Sequence, residues 1–180
     1  MLEPPPSARL IEEFANTLNL EYGTDALSTP GSLVDWLIEQ DLLDRRLRLS
    51  AEVHDQYLGL RGGIREELGV NVGVAPVTDA VEAADEMLRE VALFASIRDV
   101  PLAPGPGLPP ALRPLASLAL AWVQLRMTGD VLRLKRCAEH TCELVFWDLS
   151  KNRSRRWCSM RVCGNRVKSR AYAARQVAGE

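Results

Sequence analysis

Apolar residues recur every three or four positions through most of the first 130 residues, which is the spacing of amphipathic α-helices. The pattern therefore predicts five helices and a mainly α fold. We expect the third of these helices to span 50–68 and the fourth to begin at Thr78 and Asp79. The apolar positions are Leu10, Ile11, Phe14 and Leu18; Leu33, Trp36 and Leu37; Val53, Tyr57, Leu60, Ile64 and Leu68; Val81, Ala84, Met87, Leu88 and Val91; and Leu115, Leu118, Ala119, Trp122, Val123 and Leu125.

Two stretches interrupt the helical pattern. Residues 92–97 either finish the fourth helix or form a short strand, because periodicity alone does not separate the two in so short a run. Residues 100–114 contain six prolines and two glycines, so they predict an irregular connector before the last helix of this region. The longest run without a charged residue, 100–112, lies in this stretch and contains five prolines, which excludes a membrane-spanning helix.

Charge divides the chain into two parts. Residues 1–130 contain 10 Lys/Arg and 20 Asp/Glu, whereas residues 131–180 contain 12 Lys/Arg and 4 Asp/Glu. We therefore predict an acidic helical domain over 1–130 and a basic module over 131–180, whose partner is a polyanion or an acidic protein surface. Because the N-terminus lacks the basic and apolar pattern of a secretory signal, we expect a cytoplasmic protein without a membrane partner.

All four cysteines lie in the basic module, in the order Cys137-x4-Cys142-x15-Cys158-x4-Cys163. Grouped cysteines in a reducing compartment are more often metal ligands than disulfides, and two pairs can supply four thiolates to one tetrahedral zinc. An iron–sulfur cluster is an alternative, as is a redox dithiol, although the C-x-x-C spacing is missing. His140 could replace one ligand, but we interpret it as a solvated loop residue. Four protein ligands leave zinc no open position, so we expect one structural zinc ion.

The residues around the cysteine pairs predict a small hairpin and a helix. Residues 144–147 are apolar and aromatic and suit a strand, and a polar turn at 151–154 leads back to 156–158. Ser159 can cap a helix, and apolar residues recur at helical spacing from Cys163 onward. A hairpin and a C-terminal helix around one zinc ion form a treble-clef-like module.

Basic side chains in this loop and helix are candidate nucleic-acid contacts, because Arg and Lys bind phosphates and read base edges. The same cations also suit a solvated face, or docking on an acidic partner or on the chain's own first domain. Trp147 and Trp157 could stack on bases, but we interpret them as the core of the small module. The candidate contacts are Arg153, Arg155, Arg156, Arg166, Lys168 and Arg170.

Two motifs carry a resemblance to known families. Residues 133–172 include Arg155-Arg156-Trp157-Cys158-Ser159-Met160 and Cys163-Gly164-Asn165-Arg166, and they resemble the CGNR-type zinc finger. Phe14-Ala15-Asn16-Thr17 is similar to the Phe-x-Asn-Thr signature of a helical domain that precedes this finger and is described as a stress-induced transcription regulator. The resemblance is close over 133–172 and looser over 8–70. It implies four-cysteine zinc binding and suggests DNA binding in bacterial transcriptional control.

Asn16 is an amide on the apolar stripe of the first helix. Buried amides must be hydrogen-bonded, so Asn16 either fixes the following loop or lines a ligand pocket. The chain has no Gly-rich phosphate loop, G-x-S-x-G elbow or H-E-x-x-H pair, so we do not expect an enzyme. We predict a zinc-dependent DNA-binding transcription regulator of a bacterial stress response, for which a homodimer would increase specificity. The alternative is a zinc-stabilised protein-interaction module.

Overall fold

Six α-helices form most of the computed structural model, which describes residues 3–98 and 102–178. Five of them follow the apolar spacing of the first part of the chain, and the sixth follows the last cysteine. The predicted mainly α fold, with a small hairpin and a C-terminal helix around the cysteines, is confirmed. The helices are α1 (Pro6–Asn16), α2 (Pro30–Glu39), α3 (Ala51–Val70), α4 (Thr78–Arg89), α5 (Arg113–Thr128) and α6 (Asn165–Ala178).

Short antiparallel hairpins connect the helices. Residues 92–97, which the sequence left open between helix and strand, contain a strand. The predicted connector over 100–114 contains a second strand, while its residues 100 and 101 lie outside the described residues. The pairs are β1 (Leu18–Asn19) with β2 (Thr24–Asp25), β3 (Leu93–Ala95) with β4 (Leu102–Pro104), and β5 (Leu134–Arg136) with β6 (Val145–Trp147).

Local capping sets the ends of several helices. The side chain of Ser50 accepts a hydrogen bond from the amide of Val53 at 3.2 Å and starts α3. Thr29 and Ser32 form a capping box at the start of α2. Gly129 ends α5 with φ of +75°, a left-handed conformation that glycine adopts without steric cost. Leu18, which the apolar spacing grouped with the first helix, lies in β1, because α1 ends at Asn16.

The hydrophobic core lies where α1, α3 and α5 meet. Phe14, Leu60 and Leu118 are fully buried there, and the buried Tyr57 hydroxyl donates to the carbonyl of Ala111 at 2.8 Å. α4 packs on α3 at Gly63, where a Cβ atom would collide with α4. None of the described helices combines the length and apolar character needed to cross a membrane.

The β5–β6 hairpin shares this core with the helices. Leu134, Val145 and Trp147 belong to the same buried cluster as the apolar residues of α1, α3 and α5. Trp147 therefore packs on the helical core, whereas the sequence suggested a separate small core for the cysteine-containing segment. The hairpin brings the flanking cysteines against the helical domain.

The hairpin pairs differently from our expectation. Residues 145–147 form the expected strand, but they pair with β5 and not with residues 156–158. The register places Lys135 opposite Phe146, and both side chains are buried. β5 was missed because its Lys and Arg are typical of an exposed segment, whereas partners distant in sequence neutralise them here.

Candidate metal centre and nucleic-acid interface

The four cysteines converge on one point next to the β5–β6 hairpin. Cys137 directly follows β5, and Cys142 lies in the loop before β6. Cys158 precedes a π-helical turn, Met160–Gly164, which contains Cys163. The four Sγ atoms lie within 4.8 Å of one another. The hairpin thus supplies two sulfur atoms, and the turn together with the residue two positions before it supplies the other two.

The sulfur spacing fits a single tetrahedral metal ion. The Sγ atom of Cys158 is 3.7 Å from that of Cys142 and 3.6 Å from that of Cys163. Four sulfurs at the usual Zn–S distance in a tetrahedron lie about 3.8 Å apart, whereas a disulfide needs about 2.05 Å. An iron–sulfur cluster would distribute its ligands over several irons and separate some of them further. The donor set and its size therefore suit zinc.

Burial and the closeness of the four cysteines raise the pKa of the Cys158 and Cys163 thiols. Burial raises the pKa of the Cys158 thiol, and the nearby Cys137 raises it further. Burial raises the pKa of Cys163 to about 12. Thiolates, and not thiols, are the metal ligands. Four negatively charged thiolates this close together repel one another, so they need a cation between them. His140 is outside the cluster, with a side chain that is 72% exposed.

A buried carboxylate fixes the loop between the first two cysteines. The side chain of Glu139 is fully buried and accepts hydrogen bonds from the amide and the hydroxyl of Thr141, and from the Arg170 guanidinium. Burial alone would raise the pKa of Glu139, but the bonds from Arg170 and Thr141 outweigh it and lower the pKa to about 2. Arg170 thereby ties α6 to the cysteine loop.

A second buried ion pair joins the hairpin to the basic loop that follows it. The Lys135 ammonium donates to Asp148 Oδ2 at 2.8 Å and to the carbonyls of Arg153 and Arg155 at 2.5 and 2.9 Å. Asp148 also accepts from the amides of Ser150 and Arg155, at 2.8 and 3.0 Å. All three ammonium protons have acceptors. The pair therefore fixes the path of the loop over 148–155.

Further ion pairs join the cysteine-containing segment to the helical domain. Arg136 is buried and binds Glu66 of α3 through two bonds of 3.0 and 3.1 Å, and Glu143 at 2.7 Å. Arg65, also on α3, donates to the carbonyls of Ala15 and Glu143 at 2.7 and 3.2 Å. Two-point guanidinium–carboxylate bonds fix orientation as well as distance. The segment is thus held on α3 in one orientation.

Asn16 binds the backbone of β6. Its side-chain NH2 donates to the carbonyl of Val145 at 2.9 Å, and its Oδ1 accepts from the amide of Val145 at 2.8 Å. The amide thus pairs with the free side of β6 as a neighbouring strand would. Asn16 also contributes to the wall of an open cleft of about 570 Å³ beside Trp36.

We expect Asn16→Ala to destabilise the protein by about 1–3 kcal/mol, because it leaves the partly buried amide and carbonyl of Val145 without partners. The measurement is the urea unfolding midpoint. Asn152→Ala is the matched control, since Asn152 is an exposed amide in the 151–154 turn. Equal midpoints for the two variants would contradict a structural role for Asn16.

Four of the six predicted nucleic-acid contacts are engaged within the molecule. Arg155 lies 4.9 Å from the centre of the Phe146 ring and donates to the carbonyl of Cys158. Arg156 donates to the carbonyl of Val72 at 3.0 Å. Arg166 pairs with Glu21 at 2.6 Å, which raises the pKa of Arg166, and Arg170 pairs with Glu139. Arg153 and Lys168 are exposed and form no ion pair among the described residues.

Three other exposed cations were not among the predicted nucleic-acid contacts. Lys151, Arg161 and Arg175 have exposed side chains and no ion pair within the described ranges. They lie between or just beyond the predicted residues, so their positions in the basic segment were the available signal. We use the name unpaired basic surface below for these three residues together with Arg153 and Lys168.

Comparisons with known proteins agree with the geometry. The model described as "CGNR zinc finger" matches residues 133–176, and the ABATE model, "Putative stress-induced transcription regulator", matches residues 8–139. The matches overlap in the stretch that contains β5. A search of curated proteins found no match. Because the ABATE match covers most of the chain and the finger match contains all four clustered cysteines, the chain belongs to the ABATE family, whose description is "Putative stress-induced transcription regulator", and carries a CGNR zinc finger.

Proposed function

We propose that this protein is a zinc-dependent, DNA-binding transcription regulator of a bacterial stress response, acting in the cytoplasm. One zinc ion, held by Cys137, Cys142, Cys158 and Cys163, has a structural role, because four protein thiolates leave no position for water or substrate. The protein binds DNA without performing catalysis. The helical domain positions the finger, and the unpaired basic surface contacts the DNA.

The observation that carries this proposal is the distribution of paired and unpaired charge in the finger. Over residues 131–178, each of the three carboxylates is already paired: Glu139 with Arg170, Glu143 with Arg136, and Asp148 with Lys135. None of these three carboxylates is therefore left free to pair with the remaining exposed cations. A surface with excess positive charge and no local counter-charge suits the phosphates of DNA.

Docking on the chain's own acidic domain accounts for only part of the basic residues. Arg136 pairs with Glu66, Arg166 pairs with Glu21, and Arg156 donates to the carbonyl of Val72, so three cations of the finger contact the helical domain. The five residues of the unpaired basic surface form no ion pair with the described part of that domain. This remaining charge favours DNA over intramolecular docking as the main role of the surface.

Zinc contributes by fixing the two basic segments relative to each other. The loop over 148–155 is held by Lys135 and Asp148, and α6 begins two residues after Cys163. The bound ion joins the hairpin and the turn that carry these segments. Phosphates along one duplex can then be contacted by both segments at once.

A salt series tests the proposal. We expect the full-length, zinc-loaded protein to bind duplex DNA with an affinity that falls steeply between 50 and 200 mM salt. The expected slope of log K against log salt is about −0.9 for each neutralised phosphate, because condensed counterions are released. Protein treated with a chelator should lose this binding. Affinity that does not change with salt, or that survives zinc removal, would refute the proposal.

A further inference from the structure

α6 extends from the finger with very little packing of its own. Its main contact is with the π-helical turn before it, and every side chain from Lys168 to Gln176 is exposed. The apolar stripe recognised in the sequence is only half-buried at Val167 and is exposed at Ala171 and Ala174. An isolated helix of 14 residues is marginal in water, so tertiary contacts usually stabilise one of its faces.

Charge distinguishes two sides of α6. The helix contains Arg166, Lys168, Arg170 and Arg175 and no acidic residue. At about 100° per residue, Arg166 and Arg170 share one side, and both form ion pairs with the rest of the molecule. Lys168, Arg175 and Tyr172 lie on the opposite side, where the Tyr172 ring is 61% exposed. We call these three residues the outer face of α6.

We propose that the outer face of α6 lies in the major groove of duplex DNA, an inference that rests on the proposed function. An α-helix with its side chains is about 10–12 Å across, and the major groove of B-DNA is about 12 Å wide. Alanine and serine occupy much of the surface between the basic residues, at Ser169, Ala171, Ala173 and Ala174, which keeps the helix narrow. Lys168 and Arg175 then contact phosphates or base edges, and Tyr172 contacts the groove wall.

Other occupants fit this helix less well. A second copy of α6 docked on the same face would place Lys168 and Arg175 against two like charges. A lipid surface needs a broad apolar face with large side chains, and the stripe over Val167, Ala171 and Ala174 is too small for that role. Double-stranded RNA has a major groove too narrow for side chains to read. Duplex DNA satisfies both the charge and the width.

The paired arginines give α6 a fixed direction. Arg166 binds Glu21 in the turn between β1 and β2, and Arg170 binds Glu139 in the cysteine loop. Cys163 holds the chain just before the helix begins. Arg166 and Arg170, both predicted from the sequence as DNA contacts, therefore act here as positioning residues, and Lys168 remains a direct contact.

A double substitution, Lys168→Ala with Arg175→Ala, tests the outer face in the zinc-loaded, full-length protein. We expect affinity for duplex DNA to fall by at least about tenfold and the salt slope to decrease by about two. The matched control is Arg45→Ala with Arg48→Ala, which removes two exposed arginines of the helical domain that form no ion pair with any residue of 3–98 or 102–178. Zinc content and circular dichroism verify that the variants are folded.

A second measurement tests the groove itself. DNA whose cytosines carry glucosylated hydroxymethyl groups has a filled major groove, and we expect binding to it to weaken at least about tenfold. Netropsin, which occupies the minor groove, should leave binding unchanged. The groove assignment is wrong, and the proposed function stands, if wild type binds DNA but the double variant binds it as tightly as wild type does. The same conclusion follows if wild type binds the modified duplex as tightly as unmodified DNA. If zinc-loaded wild type does not bind DNA, the proposed function fails, and the groove assignment fails with it.

Discussion

Replacing Cys163 with serine should abolish zinc binding and unfold the segments that the four sulfurs hold together. The buried cluster around them is small: among the residues whose burial is described it contains, besides the cysteines, only Phe146, with Trp157 partly buried against it. So few apolar contacts do not offset the conformational entropy of the loops. Zinc binding contributes about 10–16 kcal/mol to the folding of comparable finger peptides. Loss of one ligand therefore has the largest effect that we expect from any single change in this chain.

The unfolding should stop at the hairpin. β5 and β6 are anchored in the helical core by Leu134, Val145 and Trp147, so hydrogen exchange should increase over 137–144 and 155–178 and not in α1, α3 or α5. The measurements are zinc content and amide exchange. Ser159→Ala is the control, because it removes only the cap of the π-helical turn, at a cost of about 1 kcal/mol, and keeps the metal. A Cys163→Ser protein that retains one zinc per chain would refute the ligand assignment.

Lys135→Met should destabilise the protein by about 3–5 kcal/mol, because it leaves the Asp148 carboxylate buried without its counter-charge. The exposed fractions of the two side chains are 2% and 0%, so water does not replace the lost ammonium. The carbonyls of Arg153 and Arg155 lose a donor as well. Denaturant unfolding measures the loss. Lys151→Met is the matched control and should change stability by less than about 0.5 kcal/mol, because Lys151 is exposed.

The same variant should change the acid dependence of stability. Burial alone would raise the pKa of Asp148, but hydrogen bonds from Lys135 and Ser150 outweigh it and lower the pKa to about 2. The stability from this depressed pKa is therefore complete above the unfolded value of about 3.9 and is lost as the pH falls towards 2. Without Lys135 the folded pKa rises, so Lys135→Met should lose less stability on acidification than wild type over this range. The pH dependence of the free energy of unfolding distinguishes the two. Parallel curves for both proteins would show that Lys135 does not set this pKa.

Sequence reasoning succeeded where the determining interactions are local. The helices follow from the spacing of apolar residues such as Phe14 and Leu60, which any amphipathic helix must bury. The cysteine cluster follows from residue type and spacing, because cysteines grouped in two pairs are typical metal ligands. These features required no knowledge of the packing between distant segments.

Pairing between distant residues could not be predicted from the sequence. Lys135 and Arg136 are typical of an exposed segment until Asp148 and Glu66 are brought beside them. Arg166 and its partner Glu21 lie 145 positions apart, so charge content alone could not separate it from the unpaired Lys168. Whether a charged residue is buried depends on the whole fold. The pairing of β5 with β6, and the distinction between ion-paired and unpaired basic residues, could therefore be determined only from the structure.

The placement of Leu134, Val145 and Trp147 among the residues of α1, α3 and α5 affects how this finger can be inherited and engineered. A peptide cut out at the start of the finger would expose these three side chains to water and tend to aggregate. Exchange of fingers between proteins by recombination would disrupt the same contacts unless the receiving helices offered a matching surface. We therefore expect the finger and its helices to be transferred between genomes as a single unit.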